Sequence, residues 1–472
     1  MTTATPTAPA PPELPLAQLR QLCDPDSFRP LRSGVSSPRL GARAAPGDGV
    51  VSGAGEIGGR PVFCYAQDPA FLGGSLGEVH ADTIVRLLRM AGDAGAPVVG
   101  FVRSGGARLQ EGHSALAGYG RIFRASVELS RRVPQISILD GVSAGGGAYS
   151  PALTDFVVMT ASARMFLTGP QVVREALGEE VDMEALGGPR VHARNGVCQV
   201  VAADAAAAIE SARALVALLP TSIGSPPAPT PALAPAASDP GVAVPANPRK
   251  VYDVRDACAA LFDAGSLLEL SPRWAPNMVT AFARLEGRPV GILANQPRSL
   301  GGVIDAAAAE KAALFVASCD RFRLPLVVLV DTPGFMPGRR QEELGVIRHG
   351  AALLRAFAAA DVPKLTVVLR KAFGGAAITM NSKDLGADFV FSWPRAQIGI
   401  MAARQAVGIV HRRALAEEGG PSRDELAEAY AGEHLTAAAA AASGFVDEVI
   451  EPGQTRDRLA WALRSLGFRE GF

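Results

Sequence analysis

The groups in this chain best placed to do chemistry are backbone amides rather than side chains. Asp140-Gly141-Val142-Ser143-Ala144-Gly145-Gly146-Gly147-Ala148-Tyr149-Ser150-Pro151 closes a strand-like run and enters a helix-forming one. Successive glycines leave N–H groups bare at a helix start, where the helix dipole adds to them. Such donors stabilise a developing oxyanion, and losing one costs roughly a hundredfold to a thousandfold in rate. For one loop alone, close packing of helix on strand is the commoner explanation. The second half of the chain has a counterpart, Arg370-Lys371-Ala372-Phe373-Gly374-Gly375-Ala376-Ala377-Ile378-Thr379-Met380. Two such loops suit a reaction in which two carbonyl oxygens become negative together, so a reaction of two carbonyl compounds is expected.

Two further loops follow strand-like runs. In Arg103-Ser104-Gly105-Gly106-Ala107-Arg108-Leu109-Gln110-Glu111-Gly112 the glycines let backbone approach a ligand and Arg108 offers a fork for phosphate. A tight turn with a solvated arginine fits that loop equally well. Asp331-Thr332-Pro333-Gly334-Phe335-Met336-Pro337-Gly338 reads as a rigid, apolar-lined turn, with Asp331 stabilising the turn rather than acting as a base. The six histidines show no HxxxH or HxH spacing, and no G-x-S-x-G elbow occurs, so metal hydrolysis and serine catalysis are disfavoured and no metal is expected.

The elements that must hold these loops repeat. Gly59-Arg60-Pro61-Val62 recurs as Gly287-Arg288-Pro289-Val290, 228 residues on, and Pro97 before VVGFV matches Pro325 before LVVLV at the same offset. Pro134 before QISIL matches Pro363 before KLTVVL, and Gly145-Gly146 matches Gly374-Gly375, both at 229. Landmarks drifting by a single residue indicate an internal duplication. Each copy alternates β-branched runs with alanine-rich helical stretches, the pattern of β-α-β units, so the fold class is α/β with two tandem domains. Residues 221–247, rich in Pro, Ala and Ser, read as an extended linker between a domain at 21–220 and one at 248–472. Residues 1–20 read as a disordered lead-in without the basic start of a secretory signal.

Composition narrows the partners. Lys+Arg and Asp+Glu each total 46 in 472 residues, so neither nucleic acid nor an anionic membrane is indicated. No apolar run reaches the roughly 18 residues of a spanning helix. Five cysteines without C-x-x-C spacing suggest neither a zinc knuckle nor a disulfide framework and fit a reducing cytoplasm.

SGGARLQEG at Ser104–Gly112, AGGGAYSPALTDF at Ala144–Phe156, TGPQVV and GEEVDMEALGG within Thr168–Gly188, VDTPGFMPGRRQE and RKAFGGA closely resemble the carboxyltransferase β-subunit of biotin-dependent acyl-CoA carboxylases. The likeness runs in order from about Asp24 to the end and is strongest to the propionyl-CoA and acetyl-CoA type enzymes. It implies two tandem crotonase-like domains, the ClpP/crotonase β-β-α superhelix. It also implies transfer of CO₂ from carboxybiotin to the α-carbon of a short or medium acyl-CoA through an enolate, biotin itself taking the α-proton. By this resemblance Gly145 and Gly146 hold the thioester enolate oxygen, and Gly375 and Ala376 hold the biotin ureido oxygen. Ser104, Gly105, Gly106, Ala107, Arg108, Ala144 and Tyr149 line the acyl-CoA side, with Ile378 where relatives tune acyl choice. Thr332, Pro333, Gly334, Phe335 and Gly374 line the biotin side.

The sequence departs from the family pattern at Arg103, where an aspartate is usual, and at Met401-Ala402-Ala403-Arg404-Gln405-Ala406-Val407, which adds bulk where glycines are usual. Neither a biotinyl-lysine A-M-K-M site nor a nucleotide-binding glycine loop is present, so a separate subunit with biotin carboxylase and biotin carrier parts is the expected partner. The resemblance further implies a homo-hexamer, a trimer of dimers. Two alternatives stay open: a decarboxylase or transcarboxylase subunit working on malonyl- or methylmalonyl-type thioesters, and a weakly active scaffold, for which the bulk at 402–405 is the argument.

Overall fold

The computed structural model describes residues 13–247, 250–417 and 420–467, and the chain divides into two compact units at Pro227/Ala228. In the first unit, α1 (Glu13–Leu22) and β1 (Arg29–Leu31) precede an antiparallel hairpin of β2 (Val50–Ile57) and β3 (Arg60–Gln67). There follow α2 (Glu78–Ala94), β4 (Val98–Ser104), α3 (His113–Leu129), β5 (Gln135–Ala144), α4 (Gly146–Ala152), β6 (Phe156–Thr160) and β7 (Arg164–Phe166). Short helices α5 (Pro170–Leu177), α6 (Met183–Gly187) and α7 (Pro189–His192) lead to β8 (Val200–Ala202) and α8 (Ala205–Leu218). The sheet order is β1-β2-β3-β4-β5-β6-β8, with β7 pairing the far end of β5.

The strands from β3 to β8 run parallel. A parallel strand covered on both faces reads as an unbroken apolar run, and β4 is buried along its whole length. Helix α2 buries Ala81, Ile84, Val85, Leu88 and Ala91, three and four residues apart, and ends at Gly95 in the left-handed conformation.

The second unit repeats the plan. It contains α9 (Pro240–Ala243), α10 (Val254–Leu261), β9 (Leu268–Leu270), β10 (Met278–Leu285), β11 (Arg288–Asn295), α11 (Ala306–Arg321) and β12 (Leu326–Thr332). Then come α12 (Arg339–Glu343), α13 (Val346–Ala359), β13 (Lys364–Phe373), α14 (Gly374–Thr379), β14 (Phe389–Ser392) and β15 (Gln397–Gly399). Helices α15 (Ala403–Val410), α16 (Arg423–His434) and α17 (Ala437–Ala442), strand β16 (Glu448–Val449) and α18 (Thr455–Ser465) complete it. The order β16-β14-β13-β12-β11-β10-β9, with β15 on β13, matches the first sheet strand for strand. Even the register slip recurs, between Val102 and Ser104 against β5 and between Val330 and Thr332 against β13.

Two boundaries differ from the sequence reading. Residues 13–20, expected to be disordered, form most of α1, because Leu19 and Leu22 are fully buried and Arg213 donates to Leu22 O and Asp24. Residues 1–12 lie outside the described part. The 221–247 segment is not a free connector either: Ile223 N–H donates to Arg132 O in the first unit, whereas Thr230 and Ala236 N–H donate to Gly287 O and Ala259 O in the second. The second unit therefore begins at Ala228 rather than at 248. Low charge and proline content described the strap but not the carbonyls that hold it.

Candidate active site

In each unit the loop after the second parallel strand is zipped to the segment ahead of the preceding helix. Leu76 N–H donates to Gly106 O and Arg108 N–H to Leu76 O; Ile304 N–H donates to Gly334 O and Met336 N–H to Ile304 O. Ser104 Oγ accepts from Gly106 N–H at 3.2 Å, and Thr332 Oγ1 from Gly334 N–H at 3.3 Å. Alternate amides of an extended segment face opposite ways, so the intervening Ala107 and Phe335 N–H groups face away from these bridges. Sequence reasoning passed over the glycine pair that lets the zip close. Leu72-Gly73-Gly74 recurs as Leu300-Gly301-Gly302, and a Cβ on Gly74 or Gly302 would stand 2.3 Å from Arg103 O or 2.5 Å from Asp331 O.

The glycine turns superimpose in conformation: Gly145 and Gly374 have φ of 59° and 60°, which an L side chain rarely adopts. Their neighbours are not equally available. Gly145 N–H donates to Phe166 O on β7 at 3.1 Å, so it is committed, and Ala376 is fully buried. Gly146 and Gly375, equivalent at an offset of 229, lie in the first turns of α4 and α14, whose N–H groups have no intrahelical acceptor. Gly146 is half-buried and Gly375 exposed. Of the pairs expected from sequence, Gly145/Gly146 and Gly375/Ala376, it is Gly146 and Gly375 that combine a first-turn amide with solvent exposure in this chain. Gly106 lies against the first turn, since a Cβ on Gly145 would touch its Cα at 3.9 Å, which brings the Ala107 loop beside Gly146.

The chain matches the carboxyl transferase domain family over residues 12–467. It belongs to that family. The methylmalonyl-CoA carboxyltransferase 12S subunit of Propionibacterium freudenreichii subsp. shermanii is 45% identical over 456 residues, 94% of this chain and 87% of that one. The propionyl-CoA carboxylase carboxyltransferase subunit of Haloferax mediterranei is 45% identical over 451 residues, 93% of this chain and 86% of that one. A crystal structure of transcarboxylase 12S, described as a hexamer assembly and holding hydrolysed methylmalonyl-coenzyme A, superposes with a TM-score of 0.92 at 43% identity, covering 97% of this chain and 90% of that one. The crotonase-like fold expected from the sequence is thus the fold of this carboxyltransferase.

Its Arg108 does not face a phosphate. The side chain is wholly buried and donates to Asp48 Oδ1 at 2.7 Å, Glu111 Oε1 at 2.8 Å and Ser75 O at 3.0 Å. Glu111 also accepts from Ser37 Oγ and Glu78 N–H, and Asp48 accepts from His80 N–H. An arginine enclosed by two carboxylates and a carbonyl holds the loop from behind. Ser104 is likewise buried, its hydroxyl 2.9 Å from Tyr119 Oη, while Gly105 is exposed and Ala107 half-buried. Tyr149 and Ile378 are 51% and 53% exposed, and Ala144 and Gly374 are half-buried. Across the second loop Thr332 is buried, Pro333 exposed and Gly334 and Phe335 half-buried. No cluster of three or more metal-ligating side chains occurs among the described residues.

Behind Arg108, burial and the nearby guanidinium pull the His80 imidazole down from 6.5 to about 3. Gln67, whose Oε1 accepts Arg103 N–H, turns its amide NH₂ to His80 Nε2, which fits the neutral ring. The unfolded chain takes up this proton below pH 6.5 and the folded one does not. The stabilising contribution is therefore complete above pH 6.5 and is lost as pH falls toward 3. At about 1.4 kcal/mol per unit, His80 costs the first unit about 2 kcal/mol by pH 5. Asp48, raised by burial, acts in the opposite sense. Hydrogen exchange in β2 and β3 at pH 7 and 5 measures the loss, and a His80→Asn variant is expected to lack that slope.

The two departures from the family pattern look different in three dimensions. Arg103 is not a bare cation at a channel wall: it is buried, with Nη2 2.6 Å from Asp140 Oδ2. Asp331 and Arg370 pair in the second unit at 3.0 Å, from the same two strands with the charges exchanged. Each pair ties the loop-bearing strand to the strand that ends in the glycine turn. Burial raises the Asp331 carboxyl, and its place under Arg370 supports its reading as a structural residue. The bulk at Arg404 and Gln405 is exposed, Arg404 pairing with Asp424 at 2.9 Å, so it does not crowd the turn within this chain. Close approach is kept by Ile400 O, which would stand 3.0 Å from a Cβ on Gly374.

Proposed function

We propose that this carboxyltransferase moves a carboxyl group between biotin on a separate carrier protein and the α-carbon of a short or medium acyl-CoA. The observation that carries the reading is the pair of reachable first-turn amides, Gly146 and Gly375, at duplicated positions. The N-terminal loops serve the thioester: Gly146 N–H, with Ala107 beside it, stabilises the enolate oxygen, and exposed Tyr149 flanks the entry. The C-terminal loops serve biotin. The half-buried Phe335 ring lies beside Gly375, an added Cβ there reaching it at 3.9 Å, so an apolar face borders the amide that would meet the ureido oxygen, with exposed Pro333 and half-buried Gly374 nearby. Bound there, carboxybiotin supplies the carboxyl group and, once it has left, the base for the α-proton. This chain's part is to supply an oxygen-binding amide from the turn of each unit.

The partner expected is a biotin carboxylase and biotin carrier subunit, and the assembly a homo-hexamer, the state named for transcarboxylase 12S. The setting proposed is cytoplasmic; no helix among the described residues is long and apolar enough to cross a membrane.

The test is an assay of purified protein with carboxybiotin carrier and a panel of acyl-CoAs from acetyl upward. Carboxylated thioester from at least one is expected, and running malonyl- and methylmalonyl-CoA against free biotin checks the reverse direction. No transfer in either direction with any thioester would sink the enzymatic reading and leave the scaffold.

A further inference from the structure

The mechanism leaves one pair of nucleophilic side chains unused. Cys23, just after α1, and Cys64, in the middle of β3, place their sulfurs 3.8 Å apart, and both are buried. The approach is built into the backbone. Cys64 lies directly across from Gly53 on β2, so the two share a face, and Gly55 is two residues along on that same face. A Cβ on Gly55 would come within 2.6 Å of Cys23 Sγ, and one on Gly53 would strike the Phe28 ring at 2.6 Å. Two side-chain-free positions thus open the sheet to the residue that follows α1.

We propose that Cys23 and Cys64 form a reversible disulfide under hydroperoxide stress, fastening the N-terminal helix to the first sheet. The Cys64 sulfhydryl, hydrogen-bonded to Cys23, pulls the Cys23 thiol below its ordinary value, while that same bond, and then burial, push Cys64 up. Cys23 is therefore the sulfur that reacts first. Its thiolate attacks the peroxide, the O–O bond breaks, and water or an alcohol leaves with a proton, giving the sulfenic acid. Cys64 sulfur then attacks Cys23 Sγ, forming the S–S bond and expelling hydroxide, which departs as water with the Cys64 proton. The two sulfurs together lose two electrons and the peroxide gains two. Cys23 is buried, so the reaction requires the end of α1 to loosen from the bonds that pin it: Arg213 to Leu22 O and Asp24, Asp24 N–H to Glu56 O, and Gly59 N–H to the Asp24 carboxylate.

The link closes a loop between positions 41 apart in sequence. It also restrains an element that touches the site's support, since Gln18 on α1 donates to Asp140, the partner of Arg103.

Full-length protein is exposed to hydrogen peroxide, alkylated with iodoacetamide and digested without reductant. The expected product is a Cys23–Cys64 cross-linked peptide that dithiothreitol reverses, with Cys258 and Cys319 recovered alkylated after unfolding. A disulfide closing a loop of this length is expected to raise the first unit's melting temperature by about 5–10 °C. Cys64→Ala removes both effects, and Cys23→Ala, just after α1 and outside the strands, repeats the check should Cys64→Ala fold poorly. Recovery of both cysteines singly alkylated, singly over-oxidised, or joined to other cysteines overturns the proposal.

Discussion

Arg108→Met is expected to destabilise the first unit by about 3–5 kcal/mol while leaving the second intact. Methionine fills comparable space, so the loss is electrostatic: Asp48 and Glu111, both facing the guanidinium with no exposure, would be left as two carboxylates with no buried cation. Asp48 has no exposure, and burial raises its carboxyl even in the presence of Arg108. The chain would respond by protonating a carboxyl or by opening the Ser37–Glu111 region to water. Replacing all three charges together, as Arg108→Met with Asp48→Asn and Glu111→Gln, is expected to recover much of the loss. Tryptophans 274, 393 and 461 all lie in the second unit, so their fluorescence transition serves as the internal control, and hydrogen exchange in β2–β5 reports the first. Were Arg108 instead a phosphate ligand, the variant would keep its exchange protection and show only a raised KM for acyl-CoA.

What the sequence made legible was the order of parts. Prolines ahead of strands and glycines after them occupy turn positions with few alternatives, so Pro97 and Pro325, or Gly145 and Gly374, kept their spacing through duplication. The sheets reproduce that correspondence down to a register slip. What stayed hidden depends on partners distant in the chain. Gly145 lost its standing as a donor to a carbonyl on β7, Phe166, which no local pattern announces. Arg108 reads as solvated until Asp48, 60 residues earlier, is folded against it; only the Arg108-x-x-Glu111 spacing hinted at a local pair. Arg103 looked anomalous because Asp140, its counter-charge, sits on the next strand. Leu72-Gly73-Gly74 and Leu300-Gly301-Gly302 were the one signal visible in the letters and missed, because a loop ahead of a helix carries no periodicity.

Gly375→Val is expected to lower carboxyl transfer by about a hundredfold to a thousandfold without unfolding the second unit. Its backbone is ordinary, with no positive φ, and the nearest atom to an added Cβ is the Phe335 ring at 3.9 Å, so the first carbon of the new side chain fits without strain on an exposed position. The γ-methyls would instead crowd the space beside the Gly375 N–H, where the proposed function seats a biotin oxygen. Gly375→Ala, which adds only the Cβ, is expected to fall between wild type and valine while gaining a little helix stability. The equivalent change in the other turn is less informative. A Cβ on Gly146 would come within 2.7 Å of the Tyr119 ring, and Tyr119 is bonded to Ser104, so Gly146→Val disturbs packing as well as the donor. The measurement is kcat with carboxybiotin carrier and KM for acyl-CoA, beside the tryptophan unfolding transition. Because the proposed division of labour gives Gly375 to biotin, kcat should fall while KM for acyl-CoA holds. Near-normal turnover in a folded Gly375→Val protein would reduce this turn to a packing device and leave the biotin oxygen to other donors.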